Sequence, residues 1–138
     1  MHELSTEWAS LVPDQPLGPL RLTISEAANE RYWRAAGVDH PSLQAGALYP
    51  PIAANLTILC FQQTCPDAMI QTSQRLKCHR RAQAGVDVIT FGRVVARYEK
   101  RGREYVDIEV AVITADAPDQ PLWTSWVTFT PTATLGAA

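Results

Sequence analysis

This chain lacks an excess of charge of either sign. Lysine and arginine total 12 and aspartate and glutamate 14, for a formal net charge of −2. That balance gives no electrostatic basis for a nucleic-acid partner. Cysteine is scarce too. Cys60, Cys65 and Cys78 are odd in number and sit among apolar neighbours, which suits reduced, buried thiols in a cytoplasmic protein better than a disulfide framework. There is no Cys-x-x-Cys, and His79 does not complete a zinc spacing with these cysteines; neither a metal nor any other cofactor is expected. A glycine-rich phosphate loop and a Gly-x-Ser-x-Gly elbow are both missing. No apolar run reaches the roughly 18 residues of a membrane span, and MHELSTEWAS, acidic and without an apolar core, does not read as a secretory leader. No segment repeats. What remains is 138 residues, 46% hydrophobic and 19% charged, the profile of one globular domain with no membrane partner.

The longest apolar-dominated stretch runs from Ala45 to Pro66, AGALYPPIAANLTILCFQQTCP. Its prolines at 50 and 51 suit a first helical turn, where the missing N–H has no intrahelical acceptor, and Cys65-Pro66-Asp67 ends it. A helix this apolar on nearly all sides must be wrapped by other elements. Ahead of it, residues 1–17 read as an N-terminal extension with little regular structure, tacked on by Trp8 and Leu11. Gly18 to Ile24 alternates as a strand. Ser25 then caps a helix that ends at Gly37, with Ala28, Tyr32 and Ala35 or Ala36 on one face. Residues 38–48 form a loop.

After the apolar helix the pattern changes to strands: Met69 to Lys77 and on to His79, Val86 to Glu99 with a bulge expected at Gly92, Glu104 to Thr114, and Leu122 to Phe129. Lys100-Arg101-Gly102-Arg103 is a hairpin turn, and Ala115 to Pro121 a second turn. Tight turns and one-faced alternation indicate an antiparallel sheet. The simplest way to bury both sheet and helix is to curl one round the other. The expectation is an α+β chain with a single hot-dog domain over residues 18–131 and a short tail at 132–138.

The segments RLKCHRRAQAGVDVITFGRVVARYEKRGREYVDIEVAVITAD and LTISEAANERYWRAAGVDHP resemble the MaoC-like hydratases and dehydratases over roughly residues 18–131. The resemblance implies reversible addition of water to 2-enoyl thioesters of coenzyme A or an acyl carrier. In that family a loop reading Gly-Asp-x-Asn-Pro-Leu/Ile-His holds the water, and a backbone amide at the start of the central helix polarises the thioester carbonyl. The chemistry needs a base near the β-carbon and a positive dipole where enolate charge develops.

This sequence departs from that pattern. Its loop reads Gly37-Val38-Asp39-His40-Pro41-Ser42-Leu43-Gln44. Aligning Asp39 with the family's Asp puts Gln44 at the His position; aligning Pro41 puts Val38 and Leu43 at the two catalytic positions. The loop is also shortened, and the helix opens with Tyr49-Pro50-Pro51-Ile52 where His-Gly-Met is usual. Asp39 and His40 are the catalytic candidates that remain. The amides of Ile52 and Ala53 are candidate oxyanion donors, and Tyr49 and Asn55 candidate substrate contacts. Arg80 and Arg81, in a basic run with Arg75, Lys77 and His79, are candidates for coenzyme A phosphates, whereas Arg93 and Arg97 read as plain surface. The exposed edge of a lone sheet predicts a homodimer or a heterodimer with a related MaoC-like chain. Three functions follow: an enoyl-thioester hydratase or 3-hydroxyacyl-thioester dehydratase working as one subunit of a dimeric or heteromeric enzyme; a non-catalytic acyl-thioester-binding or assembly subunit; and a hot-dog thioesterase, for which Asp39 is the nearest carboxylate.

Overall fold

Two serines cap the first two helices. Ser5 Oγ accepts from the Trp8 amide at 3.1 Å and starts α1, Thr6–Ala9. Ser25 Oγ accepts from the Ala28 amide at 3.1 Å and starts α2, Glu26–Ala35, which closes at Gly37 with φ +71°. Each hydroxyl satisfies a first-turn amide that has no intrahelical acceptor. The structure, a computed structural model, describes residues 5–37, 40–41 and 45–132.

Between α1 and α2 lies β1, Pro16–Thr23. The apolar helix, α3, is Ile52–Gln62, and the remaining strands are β2 (Met69–Cys78), β3 (Asp87–Lys100), β4 (Arg103–Thr114) and β5 (Ala117–Pro131). Among the described residues they form one antiparallel five-stranded sheet in the order β1-β3-β4-β5-β2, and no helix is long and apolar enough to cross a membrane. The hairpin at Arg101-Gly102 has positive φ at both residues and joins the paired Lys100 and Arg103, the geometry that matches strand twist. The expected turn from Ala115 to Pro121 is tighter, because β5 resumes at Ala117.

Alternation along β4 is strict. Val106, Ile108, Val110 and Val112 are buried and face α3, while Tyr105, Asp107, Glu109, Ala111 and Ile113 are only partly covered on the outer face. Leu56, Cys60 and Phe61 of α3 fill the inner concavity, with Phe61 stacked on Phe129 at 4.9 Å. Each fully buried aliphatic or Phe side chain there contributes about 1.5–3 kcal/mol. The wrapping stops short of complete: Leu59 of α3 is 43% exposed, and Asn55 is exposed as well.

The bulge lies at Val95, not Gly92. Gly92 pairs in register with Leu17 and Val110, and the register slips between Val94 and Ala96. Gly92 is required for closeness instead: a Cβ there would lie 2.1 Å from the Glu109 carbonyl oxygen. The bulge reverses the facing of the residues that follow it, so Arg97 pairs opposite buried Val106 on the inner side. Arg97 is therefore a strap and not plain surface. Its Nη1 donates to the carbonyls of Trp8, Ala9 and Leu11 at 2.8, 3.0 and 3.2 Å, gathering the backbone at and just beyond the end of α1. Its guanidinium lies 5.4 Å from the Trp8 ring centroid, and Trp8 Nε1 donates to Glu104 at 2.9 Å. Trp8 and Leu11 are core residues.

The buried face of α2 also differs from expectation. Asn29 and Trp33, one turn apart, point inward, while Tyr32 is exposed. Asn29 Nδ2 and Trp33 Nε1 both donate to the Ala47 carbonyl at 2.8 Å, and Asn29 Oδ1 accepts from the Tyr49 amide at 2.9 Å. A polar residue displaces alanine from the core side because it satisfies the backbone just ahead of α3.

Two outcomes follow. Asn29→Ala leaves the buried Ala47–Tyr49 backbone short of partners and lowers unfolding stability by about 2 kcal/mol, read from the urea midpoint at unchanged m-value. Gly92→Ala forces β3 and β4 apart and costs roughly 3 kcal/mol; a midpoint within error of the parent would contradict the close approach.

Candidate functional site

The start of α3 is an unusual helix end. Its N-cap is Pro51, already in helical conformation at φ −61°, ψ −11°, with no side-chain cap. The amides of Ile52, Ala53 and Ala54 instead donate back to the carbonyls of Tyr49, Pro50 and Pro51 at 3.1, 3.0 and 3.1 Å. These bonds span three residues and tighten the first turn in the 3₁₀ manner. The two amides that the sequence singles out as oxyanion donors, those of Ile52 and Ala53, thus already have acceptors, and both residues are buried. Pro50 and Pro51 bring no N–H.

An aromatic cluster covers this turn. Trp33 meets Tyr49 edge-on at 4.9 Å and stacks with His40 at 5.8 Å and 10°. Tyr32 stacks with Tyr49 at 6.4 Å and its hydroxyl accepts from Asn55 Nδ2 at 3.4 Å. The structure therefore brings together His40, Tyr49 and Asn55 from the sequence candidates. His40 and Asn55 are exposed and Tyr49 is half-buried. Asp39 lies outside the described residues, as does Gln44. Sequence reasoning missed Asn29, Trp33 and Tyr32 as the residues that seat this cluster. The available signal was the spacing of Asn29 and Trp33, four apart, which places an amide and the largest apolar side chain of α2 on one face.

The basic run divides. Arg80 Nη2 donates to Thr114 Oγ1 at 2.7 Å and to the Gln120 carbonyl at 3.2 Å, so its guanidinium is tied to the end of the sheet. Arg81 is exposed on the segment that runs beside the approach to α3: the Leu48 amide donates to the Ala82 carbonyl at 2.8 Å, and the Ala84 amide to the Gly46 carbonyl at 3.0 Å. Arg75 lies on the outer face, 4.1 Å over the Trp126 ring.

The thiols are poorly suited to nucleophilic work. Burial pushes both Cys60 and Cys65 up to about 11; Cys78 is exposed, contrary to the expectation of three buried thiols, though partial desolvation raises it as well, and the thiolate is the reactive form. Asp67 sits beyond the far end of α3, where it accepts from Ser5 Oγ and from Cys65 Sγ. The first turn of α3 contains no acidic residue, and among the described residues no group of His, Cys, Asp and Glu is arranged to hold a metal.

No family model matches the sequence, and no curated protein is similar to it in sequence. Solved structures are similar in fold. One is a chain of the HadBC complex, a 3R-hydroxyacyl-ACP dehydratase of Mycobacterium tuberculosis: TM-score 0.72, 15% identity, covering 86% of this chain and 96% of that one. A second is the (R)-hydratase of A. caviae involved in PHA biosynthesis: TM-score 0.71, 15% identity, covering 87% and 96%. A third is the MaoC-like dehydratase of Rhodospirillum rubrum: TM-score 0.69, 12% identity, covering 89% and 94%. The sheet order and the helix it cradles are thus those of the hot-dog fold, shared with MaoC-like dehydratases and (R)-hydratases.

Proposed function

We propose that this chain is the acyl-pocket half of a MaoC-like enoyl-thioester hydratase or 3-hydroxyacyl-thioester dehydratase, paired with a related hot-dog chain that supplies the water-activating residues. The observation that carries this reading is the first turn of α3. It sits under an aromatic cover suited to an acyl group, yet the amides of Ile52 and Ala53 are engaged by Tyr49 and Pro50. A pocket wall without a free oxyanion donor fits a binding half better than a self-sufficient catalyst. Tyr49 and Asn55 are the thioester contacts in this reading, and Arg81 is better placed than Arg80 to meet a coenzyme A or carrier phosphate. A thioesterase is less well supported, since the described carboxylate nearest along the chain to α3, Asp67, is held at its other end.

The partner pairs along β2. Both edges carry one register shift, between Gln71 and Ser73 in β2 and between Leu17 and Leu20 in β1, but β2 runs ten residues without proline or glycine, whereas β1 contains Pro16 and Pro19. Proline on an edge strand resists pairing. Ile70 of β2, opposite Thr130, is 39% exposed and offers apolar surface on the open edge.

A second reading keeps His40 as an acid or base from this chain, because stacking on Trp33 holds its ring at the Tyr49 cluster; Asp39 would be its companion. Variants in the complex separate the two. His40→Ala and Asp39→Ala are expected to change turnover less than about threefold; a loss of roughly 100-fold or more, the scale of general acid–base catalysis, would establish the second reading.

The direct test is co-purification from the native host followed by hydration of crotonyl-CoA and a longer enoyl-CoA. The isolated chain is expected to be silent and the co-purified complex active. Turnover by the isolated chain, or silence of the complex on both substrates, overturns the proposal. Sedimentation of the purified chain at micromolar concentration should give a species larger than a monomer, and Ile70→Lys should reduce its mass if β2 is the contact.

A further inference from the structure

The outer face of the sheet, turned away from α3, holds a groove of about 410 Å³ that the thioester reading leaves unused. Register accounts for its shape. Ala96, Asp107, Thr128 and Ser73, all short, form one row across β3, β4, β5 and β2. The row on one side is Arg93, Glu109, Trp126 and Arg75. On the other side Tyr98 and Tyr105 are paired and stack at 5.5 Å. Rows on one face lie two residues apart along the strands, about 7 Å, so short side chains between long ones leave a trough running across the strands. Val95, the bulged residue, lines its β3 end.

The floor of the groove carries an oriented carboxylate. Ser73 Oγ donates to Thr128 Oγ1 at 3.2 Å, and Thr128 Oγ1 donates to Asp107 Oδ1 at 2.6 Å. Tyr98 Oη donates to the same Oδ1 at 3.1 Å. Two donors thus converge on one oxygen and fix the carboxylate plane, while among the described residues nothing donates to Oδ2 and no cation pairs with half-buried Asp107. Arg75, on the wall, lies 4.1 Å over the Trp126 ring. Among the described residues no carboxylate pairs with it, nor with exposed Lys77 one row further along β2. The remaining charges of the wall are engaged: Arg93 lies 3.0 Å from Asp14 and 3.7 Å from Glu109, and Glu109 accepts from Trp126 Nε1 at 2.7 Å. Asp107 and Arg75 are two strands and two residues apart, about 12 Å between Cα atoms, and their side chains do not close that gap. The groove is left with an anion on its floor and a cation on its wall, each lacking a charged partner.

We propose that this groove binds a small zwitterion of the α-amino-acid class, with its ammonium on Asp107 Oδ2, its carboxylate on the Arg75 guanidinium and an apolar side chain against Val95 and Trp126. Charge complementarity selects this class. A ligand with only a positive charge meets Asp107 but is set beside Arg75 and Lys77. A ligand with only a negative charge suits Arg75 but brings its charge to the Asp107 carboxylate. A molecule carrying both charges a short distance apart answers both groups, and carboxylate on guanidinium is among the stronger charge-assisted pairings. The volume falls within the roughly 300–1,000 Å³ of small-molecule sites, which combine apolar walls with a few placed polar groups. The groove lies on the opposite face of the sheet from α3, so this site goes beyond the thioester reading and stands without it.

The experiment screens the full chain by saturation-transfer NMR against each of the common amino acids. The strongest binder is then titrated by calorimetry into the parent, Asp107→Asn, Arg75→Gln and, as a control on α2, Glu30→Gln, with circular dichroism to confirm folding. An amino acid with an apolar side chain should bind with millimolar affinity or better. Asp107→Asn and Arg75→Gln should each weaken it about tenfold or more, the scale of one lost charge-assisted hydrogen bond, and Glu30→Gln should leave it unchanged. The matching amino alcohol and the deaminated acid, each missing one charge, should bind the parent more weakly by a similar factor. Arg75 is exposed, so if Asp107→Asn fails to fold, Arg75→Gln still decides. Silence across the whole set of amino acids, parental affinity in a folded variant at either position, or equal binding of either single-charge analogue overturns the proposal. Enoyl-CoA turnover enters none of these readouts, so the outcome is separate from that of the thioester reading.

Discussion

Everything in this molecule accommodates the burial of α3 against one concave face. Ile52, Ala53, Leu56, Thr57, Cys60 and Phe61 are all removed from water, and only a strongly curved sheet can reach that much of one short helix. The curvature has a visible cost in backbone closeness. At Gly92 the neighbouring strand approaches to within 2.1 Å of where a Cβ would sit. At Gly18 a Cβ would lie 3.1 Å from Cys60 Sγ and 2.7 Å from the Thr90 carbonyl oxygen. Side chains are omitted where helix and strands converge, and the valines of β4 fill the space where they diverge.

The same demand shapes the candidate site. α3 must begin abruptly, just after the chain passes beneath α2. The paired prolines impose helical φ before the first complete turn, and the turn tightens until its amides find acceptors within it. A helix start that exposed its amides to a ligand would need a looser approach and residues that have an N–H to offer. The Ala47 carbonyl, held by Asn29 and Trp33 together, fixes the approach. Geometry that makes a stable helix start here works against an open anion site.

The sequence made the parts with strong periodicity or local chemistry readable: the Ser25 cap, the alternation of β4, the Arg101-Gly102 turn and the apolar helix, and from these the hot-dog arrangement. It concealed what depends on tertiary pairing. Nothing local marks Val95 as the bulged residue, since the slip is set by register against β4, and without the bulge Arg97 would count as an outward side chain. Asn29 looks like a surface amide until the Ala47 and Tyr49 backbone groups are seen to need it. Of the site, Tyr49, His40 and Asn55 were identifiable from their place before and within α3. Their common neighbours, Trp33 and Tyr32, were not, because the face of α2 that turns inward is chosen by the loop it meets. Propensity alone does not choose it.

The Arg97 strap has a consequence for how the chain is made. Trp8 leaves the ribosome early, yet its indole partner, Glu104, is 96 residues further on and the arginine that grips its carbonyl is 89 further on. Likewise β1 waits for β3 and β2 for β5. The residues around Trp8 therefore remain without their final contacts until most of the sheet exists. Such long-range closure slows folding: the segment around Trp8 acts as a latch that engages after β3 and β4 have formed.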